Sequence, residues 1–193
     1  EYGNADFDTR HNFTAAWVYE IPGASWGPKI LTHGWQLNSL WSFHTGQPFN
    51  ITGGTQRPGF DLIANPFAGV SHNFSATAGG EPWVNPAAFC VPGAAGCTGP
   101  TDPMGNLSRN KYYGPSFKDV DFSVFKNIPI TERVRIQLRA EMYNLFNRIN
   151  LASGAGSVGS NGFVSDTIGD FNGAPGLGPG EPFNMQLVAK IIF

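Results

Sequence analysis

Apolar and polar side chains alternate residue by residue over five separate stretches of this chain. That dyad pattern constrains the fold more than any other feature. Successive side chains of a strand point to opposite faces, so period-two alternation describes a sheet with one apolar and one polar side. In Arg10 to Glu20, Phe13, Ala15, Trp17 and Tyr19 fall opposite Asn12, Thr14 and Glu20. In Gly34 to Thr45, Trp35, Leu37, Trp41 and Phe43 oppose Gln36, Asn38, Ser42 and His44. In Phe117 to Lys126, Val120, Phe122 and Val124 oppose Asp119, Asp121 and Ser123. In Arg133 to Leu145, Val134, Ile136, Leu138, Ala140 and Met142 oppose Arg135, Gln137, Arg139, Glu141 and Tyr143. In Phe183 to Phe193, Phe183, Met185, Leu187, Ala189, Ile191 and Phe193 alternate with Asn184, Gln186, Val188, Lys190 and Ile192.

The fourth stretch also fits a helix. Val134, Leu138, Met142, Leu145 and Ile149 form a helical stripe, and its Ala, Leu, Glu, Arg and Gln favour helix. The neighbouring stretches decide for strand, because they already establish a sheet that the fourth can join.

The connections are unequal. The first and second stretches are joined through IPGASWGPKIL, and the third and fourth through NIPITE. The others are long and rich in Gly and Pro: about 46–116, and about 146–182 with SGAGSVGSNG and NGAPGLGPGEP. Long loops without structure of their own are uncommon in compact soluble domains. Here long and short alternate, so all the long ones gather at one end of the strands. Outer-membrane barrels show this asymmetry. The expected fold is all-β: an antiparallel up-and-down meander of about five long strands, a partial outer-membrane barrel wall, within a single unit over 1–193.

A soluble sandwich would give the same alternation. Three features favour the barrel wall. The stretches run to 10 residues or more, near the roughly 9–11 of a membrane-crossing strand. Aromatics stand near their ends (Tyr19, Trp35, Phe117, Phe183, Phe193), where a membrane interface would use them. The last stretch ends on an apolar residue, Phe193. The remaining composition agrees. Charged residues are 13% of the 193, half the roughly 25% of ordinary soluble proteins, and aromatics are equally frequent at 13%. A net charge of −2 gives no reason to expect nucleic acid as a partner.

The opening EYGNADFDTR has no Met, basic stretch or apolar stretch, so it reads as the interior of a longer or processed chain. Cys90 and Cys97 in FCVPGAAGC are expected to form a disulfide staple, the other readings being two unrelated thiols or half of a metal site. His11, His33, His44 and His72 lack metal-binding spacing, and no P-loop, dinucleotide or nucleophile motif occurs, so neither cofactor nor enzymatic activity is expected. Asp119 and Asp121 could be a carboxylate pair. The plainer expectation is that they form a charged ladder with Arg135, Arg139 and Glu141 across adjacent strands. Four glycosylation-type triplets (NFT, NIT, NFS, NLS) occur, and a bacterial origin would make them incidental.

The blocks DTRHNFTAAWVYEIP, GWQLNSLWSFHTGQPFNIT, NPAAF, GNLSRNKYYGPSFKDVDFSVFKNIPITERVRIQLRAEMYNLFN and QLVAKIIF resemble the C-terminal end of TonB-dependent outer-membrane receptors. The resemblance implies part of a roughly 22-stranded plugged barrel, in the bacterial outer membrane, that takes up a scarce large ligand of unknown identity. It also implies that Phe193 belongs to the signal read by the barrel assembly machinery. The plug, the TonB-contacting segment and most strands are not in this sequence, so the chain is not expected to be a complete transporter. In the parent barrel Phe193 would be periplasmic, and the turns at Pro22 to Ile30 and Asn127 to Glu132 would share that end. The two outermost strands would lack partners on one side. Lipid in the parent barrel, or other copies of this chain joined into an extracellular tube or filament, are the expected partners.

Overall fold

The computed structural model describes residues 3–51, 59–71, 81–99, 105–151, 163–164 and 182–193. Parts of the first long connection, with His72 and the NFS triplet, and most of the second lie outside them. In chain order the elements are β1 (Asn12–Glu20), α1 (Lys29–Thr32), β2 (Trp35–His44), β3 (Pro48–Phe49), β4 (Asp61–Leu62) and β5 (Glu81–Pro82). They continue with a 3-10 turn (Pro86–Ala88), β6 (Phe89–Cys90), β7 (Tyr112–Tyr113), β8 (Phe117–Pro129), β9 (Arg135–Tyr143), β10 (Phe163–Val164) and β11 (Asn184–Ile192).

The chain forms two compact units. One contains Asn12–His44, Phe117–Asn150 and Ile168–Phe193, the other Glu1–His11, Thr45–Ser116 and Leu151–Thr167. The first is a five-stranded sheet of order β1-β2-β8-β9-β11, antiparallel at every pairing. The expected meander is therefore the observed one. The two short connections leave from one end, the two long ones from the other. The fourth stretch is a strand, as the neighbouring alternation required.

Its ends are local decisions. β8 runs to Pro129, beyond the expected turn at Asn127, and a tight turn follows in which the Ile130 and Thr131 amides donate to the Val134 carbonyl. Thr131 Oγ1 accepts from the Arg133 and Val134 amides, which holds those residues out of β9. Pro129 is tolerated because β2 pairs with β8 only as far as Lys126, leaving no β2 partner opposite the proline. At the other end β9 stops at Tyr143, because Asn144 takes a left-handed φ of 46° that asparagine tolerates.

The second unit was expected only as loop, yet it builds a core. Phe49, Ile51, Phe60, Val84, Ala88, Phe89, Leu107 and Tyr112 form one buried cluster, with Leu62 and Trp83 against it. Short ladders carry it: β3 pairs with β7, β4 with β6, and β5 with β10. The Tyr112 ring meets Phe49, Phe67 and Phe89 at 5.9–6.3 Å. Burial pushes the Tyr112 phenol above its usual pKa. Asp61, fully buried, accepts from the Asn106 amide while Asn106 Oδ1 accepts from the Leu62 amide. Cys90 and Cys97 are joined across a Cα separation of 5.6 Å. The segment 3–11 is tied to 105–113 by the Asn4–Asn110 exchange, by Arg109 to Asp6, and by the Tyr113 hydroxyl donating to Asp8.

Candidate functional site

Among the described residues no three of His, Cys, Asp and Glu are placed to hold a metal. The feature with functional content is the sheet itself. Its register sorts the side chains into two faces, because directly opposed residues in an antiparallel pair point the same way.

One face carries Phe13, Ala15, Trp17 and Tyr19 of β1, set against Phe43, Trp41, Ser39 and Leu37 of β2. It continues through Val120, Phe122, Val124 and Ile128 of β8. Ile136, Leu138, Ala140 and Met142 of β9 follow, then Ile191, Ala189, Leu187 and Met185 of β11. Large apolar groups stand open on it: Leu187 is 72% exposed, Ile191 63%, Met185 54%. Among the described strand residues the face holds just two charges, Lys118 and Lys126, eight positions apart on the central strand β8.

The two lysines are held differently. The Lys126 ammonium donates to the carbonyls of Leu31 and His33, and lies 4.7 Å from the centre of the Trp35 ring. Trp35 Nε1 donates to the same Leu31 carbonyl at 2.7 Å. The last turn of α1 thus supplies the acceptors for a lysine on an apolar face. The Lys118 ammonium has no acceptor among the described residues; only its backbone amide is engaged, by Asn150 Oδ1. Aromatics gather toward both ends. Phe13 stacks on Phe43 (6.1 Å between ring centres) near the long connections, and Tyr19 and Trp35 lie near the short ones. Phe183 and Phe193 flank β11, Phe193 being 95% exposed one residue beyond the strand. Phe117 departs from the expected ring of interface aromatics. Its place opposite His44 puts it on the polar face, where it is buried and stacked on the imidazole at 4.9 Å.

The other face is polar and internally bonded. Gln36 donates to Asn38 and Asn38 to Ser123. Gln137 donates to Asn127, and Arg139 to Gln137. Arg139 also lies over the Phe125 ring and 3.7 Å from Glu141, which accepts from the Tyr143 hydroxyl. The expected cross-strand charge ladder is not what forms. The register sets Asp119 and Asp121 against Ser42 and Leu40, and Arg139 and Arg135 against Phe125 and Pro129. Asp121 instead accepts from the Asn144 amide at 3.1 Å. Arg139 and Glu141 pair along one strand rather than between two. Five residues were thus correctly put on one face but given the wrong partners, because partners depend on register and faces do not.

The shelf after β9 is a feature that sequence reasoning missed. Asn144 brackets Arg148, donating to its carbonyl (2.7 Å) and accepting from its amide (2.9 Å). Asn147 Oδ1 accepts from the Phe183 amide, joining the start of the second long connection to its end. The asparagines of YNLFNRIN were the available signal, since Asn is the commonest non-glycine residue at positive φ.

The sequence profile of one protein family, described as "Outer membrane beta barrel domain", matches residues 1–185. No curated protein and no solved structure matches the chain.

Proposed function

The chain belongs to the outer membrane β-barrel domain family, and on that premise we propose that its sheet is the C-terminal wall of a TonB-dependent receptor. In this reading it is a non-enzymatic segment of an uptake barrel, its apolar face against lipid and its polar face toward the lumen.

The observation that carries the membrane part is the spacing of Lys118 and Lys126. Eight residues of strand span about 26 Å at roughly 3.3 Å each. A strand tilt of about 40° reduces this to about 20 Å along the membrane normal, and the outward reach of two lysine stems restores several Å. The apolar stretch between the ammoniums then matches the roughly 25 Å band of an outer-membrane barrel. The end with the long connections would face outward and the end with α1 the periplasm. Five strands cannot close a membrane barrel, whose smallest common form has about 8, and among the described strands β1 and β11 each have one neighbour. In the receptor reading further strands pair with both edges. Those open edges also support a second reading, in which the chain on its own pairs edge to edge with copies of itself, as a ring or filament.

Fractionation of a host expressing the protein that carries this chain tests the first reading. The expected product sits in the outer membrane, needs detergent for extraction, and imports ligand only while TonB is present and the inner membrane is energised. Uptake that continues without TonB would remove the receptor assignment and leave the barrel. A chain that stays dispersed without detergent would remove both. Phe193→Ser should slow assembly into the membrane. Native mass of the isolated chain addresses the second reading, which a stable monomer would end.

A further inference from the structure

A groove of about 810 Å³ opens at the long-connection end of the apolar face. Its walls include Phe43 and Val120 from the sheet and Phe146 and Ile149 from the turn after β9, with Lys118 and Arg148 beside them. Among the described residues no acidic one lines it. Phe146 and Ile149 are 67% and 59% exposed, large apolar side chains standing beside two cations.

Among the described residues neither cation has an acidic partner. Among the described residues the ion pairs are Arg109 with Asp6 and Arg139 with Glu141, neither involving Lys118 or Arg148. Asp119 is next to Lys118 in sequence, but alternation sends it to the opposite face. The groove is also pre-shaped. The Leu145 amide donates to the Val120 carbonyl, extending the ladder by one step, and the Asn144 bracket then fixes the Arg148 backbone. Asn150 Oδ1 holds the Lys118 amide from the other side. Two cations are thus presented on a rigid shelf at the rim of an apolar wall. At the α1 end the corresponding lysine has its charge absorbed by protein carbonyls and a tryptophan ring; here no described residue absorbs it.

We propose that this groove binds the anionic, phosphate-bearing headgroup of a membrane lipid, Lys118 and Arg148 taking the phosphate. The acyl chains continue down the apolar wall past Val120 and Phe43, and Phe146 and Ile149 lie at the headgroup boundary. The chemistry requires both halves. A phosphate alone gains the two cations but leaves the apolar residues wet, and an uncharged lipid leaves two unpaired cations at the edge of hydrocarbon. The inference rests on the reading of this face as lipid-facing.

The test uses the protein that carries this chain, reconstituted in phosphatidylcholine vesicles containing a minority of phosphatidylglycerol, then extracted and weighed by native mass spectrometry. The wild type should retain phosphatidylglycerol over phosphatidylcholine. Each cation near an anionic surface contributes about fivefold, so Arg148→Gln should weaken the preference by about that factor. Lys118→Gln with Arg148→Gln should weaken it further. Lys118→Arg with Arg148→Lys should restore it, and Lys190→Gln, the same charge change on the opposite face, should leave it intact. The Arg148 side chain is exposed and has no partner among the described residues, so its single variant remains informative if the double variant fails to assemble. Equal retention in wild type and Arg148→Gln would overturn the proposal. So would displacement of the lipid by excess inorganic phosphate, which would identify a site for free anions. A protein that takes up neither lipid sinks the membrane reading, and this inference with it.

Discussion

The two units handle apolar side chains in opposite ways. Of the buried hydrophobic residues among those described, only Phe117 belongs to the sheet unit; the others, from Phe49 to Leu151, belong to the unit built on 45–116. The sheet unit has five long strands and leaves Trp17, Trp41, Leu138, Leu187 and Ile191 open. The unit of short ladders and turns closes around its own phenylalanines. Regular secondary structure and a buried core are therefore separate achievements in this chain. A strand satisfies its backbone by pairing, whereas its apolar face is satisfied only by whatever lies against it. For the sheet that is another medium, and the family membership states which one.

The sharpest way to break this contrast is to damage the core that closes on itself. Phe89→Ala removes a ring buried against Tyr112 and should cost the second unit about 3–5 kcal/mol. Limited proteolysis should then cut within 45–116 while the strands stay protected in the membrane. Equal loss of protection in both places would mean that the units do not stand separately.

A charge in the middle of the apolar face is the matching test of the sheet. Val124 lies opposite Leu37 and Ala140 between the two lysines. Val124→Arg should cost about 2–4 kcal/mol of stability in the bilayer. One position away, Ser123→Arg turns toward Glu141 on the polar face and should change stability by less than about 1 kcal/mol. Unfolding in denaturant from lipid vesicles measures both, and similar costs would erase the distinction between the faces.

The Cys90–Cys97 bond closes a short loop, and the chain-entropy account gives it about 2–3 kcal/mol. Cys90→Ser with Cys97→Ser should loosen exchange protection around β4 and β6 and leave β8 and β9 unchanged. Alkylation followed by mass measurement should find no reactive thiol before reduction.

Asp6 supplies the smallest effect. The Asn110 amide, and then the Arg109 charge, hold its carboxyl below the usual carboxylate range. What it contributes is fully present above the ordinary carboxylate pKa of about 3.9, and is lost as pH falls through the lowered value. Hydrogen exchange in 3–11 should rise only in strong acid, and Asp6→Asn should remove that dependence. A rise already between pH 5 and 7 would assign the tether to another group.

The strands, their faces and the inequality of the connections are legible in the residue pattern alone. Alternation is a local property: each peptide unit turns its side chain over, so Val120, Phe122 and Val124 share a face whatever pairs with them. The length of a Gly- and Pro-rich stretch is equally legible without knowing where it goes. Who meets whom is settled by the folded arrangement. A register placed Asp119 and Asp121 beside Ser42 and Leu40 instead of the arginines. A short helix between β1 and β2 placed carbonyls at the Lys126 ammonium. A left-handed Asn144 ended β9 and built the shelf that carries Arg148. The core of 49, 51, 60, 84, 88, 89, 107 and 112 has no period to read, because its members come together through turns and chain closure rather than along one helix or strand. Direction is set by the nearest bonds, and partnership by the whole chain.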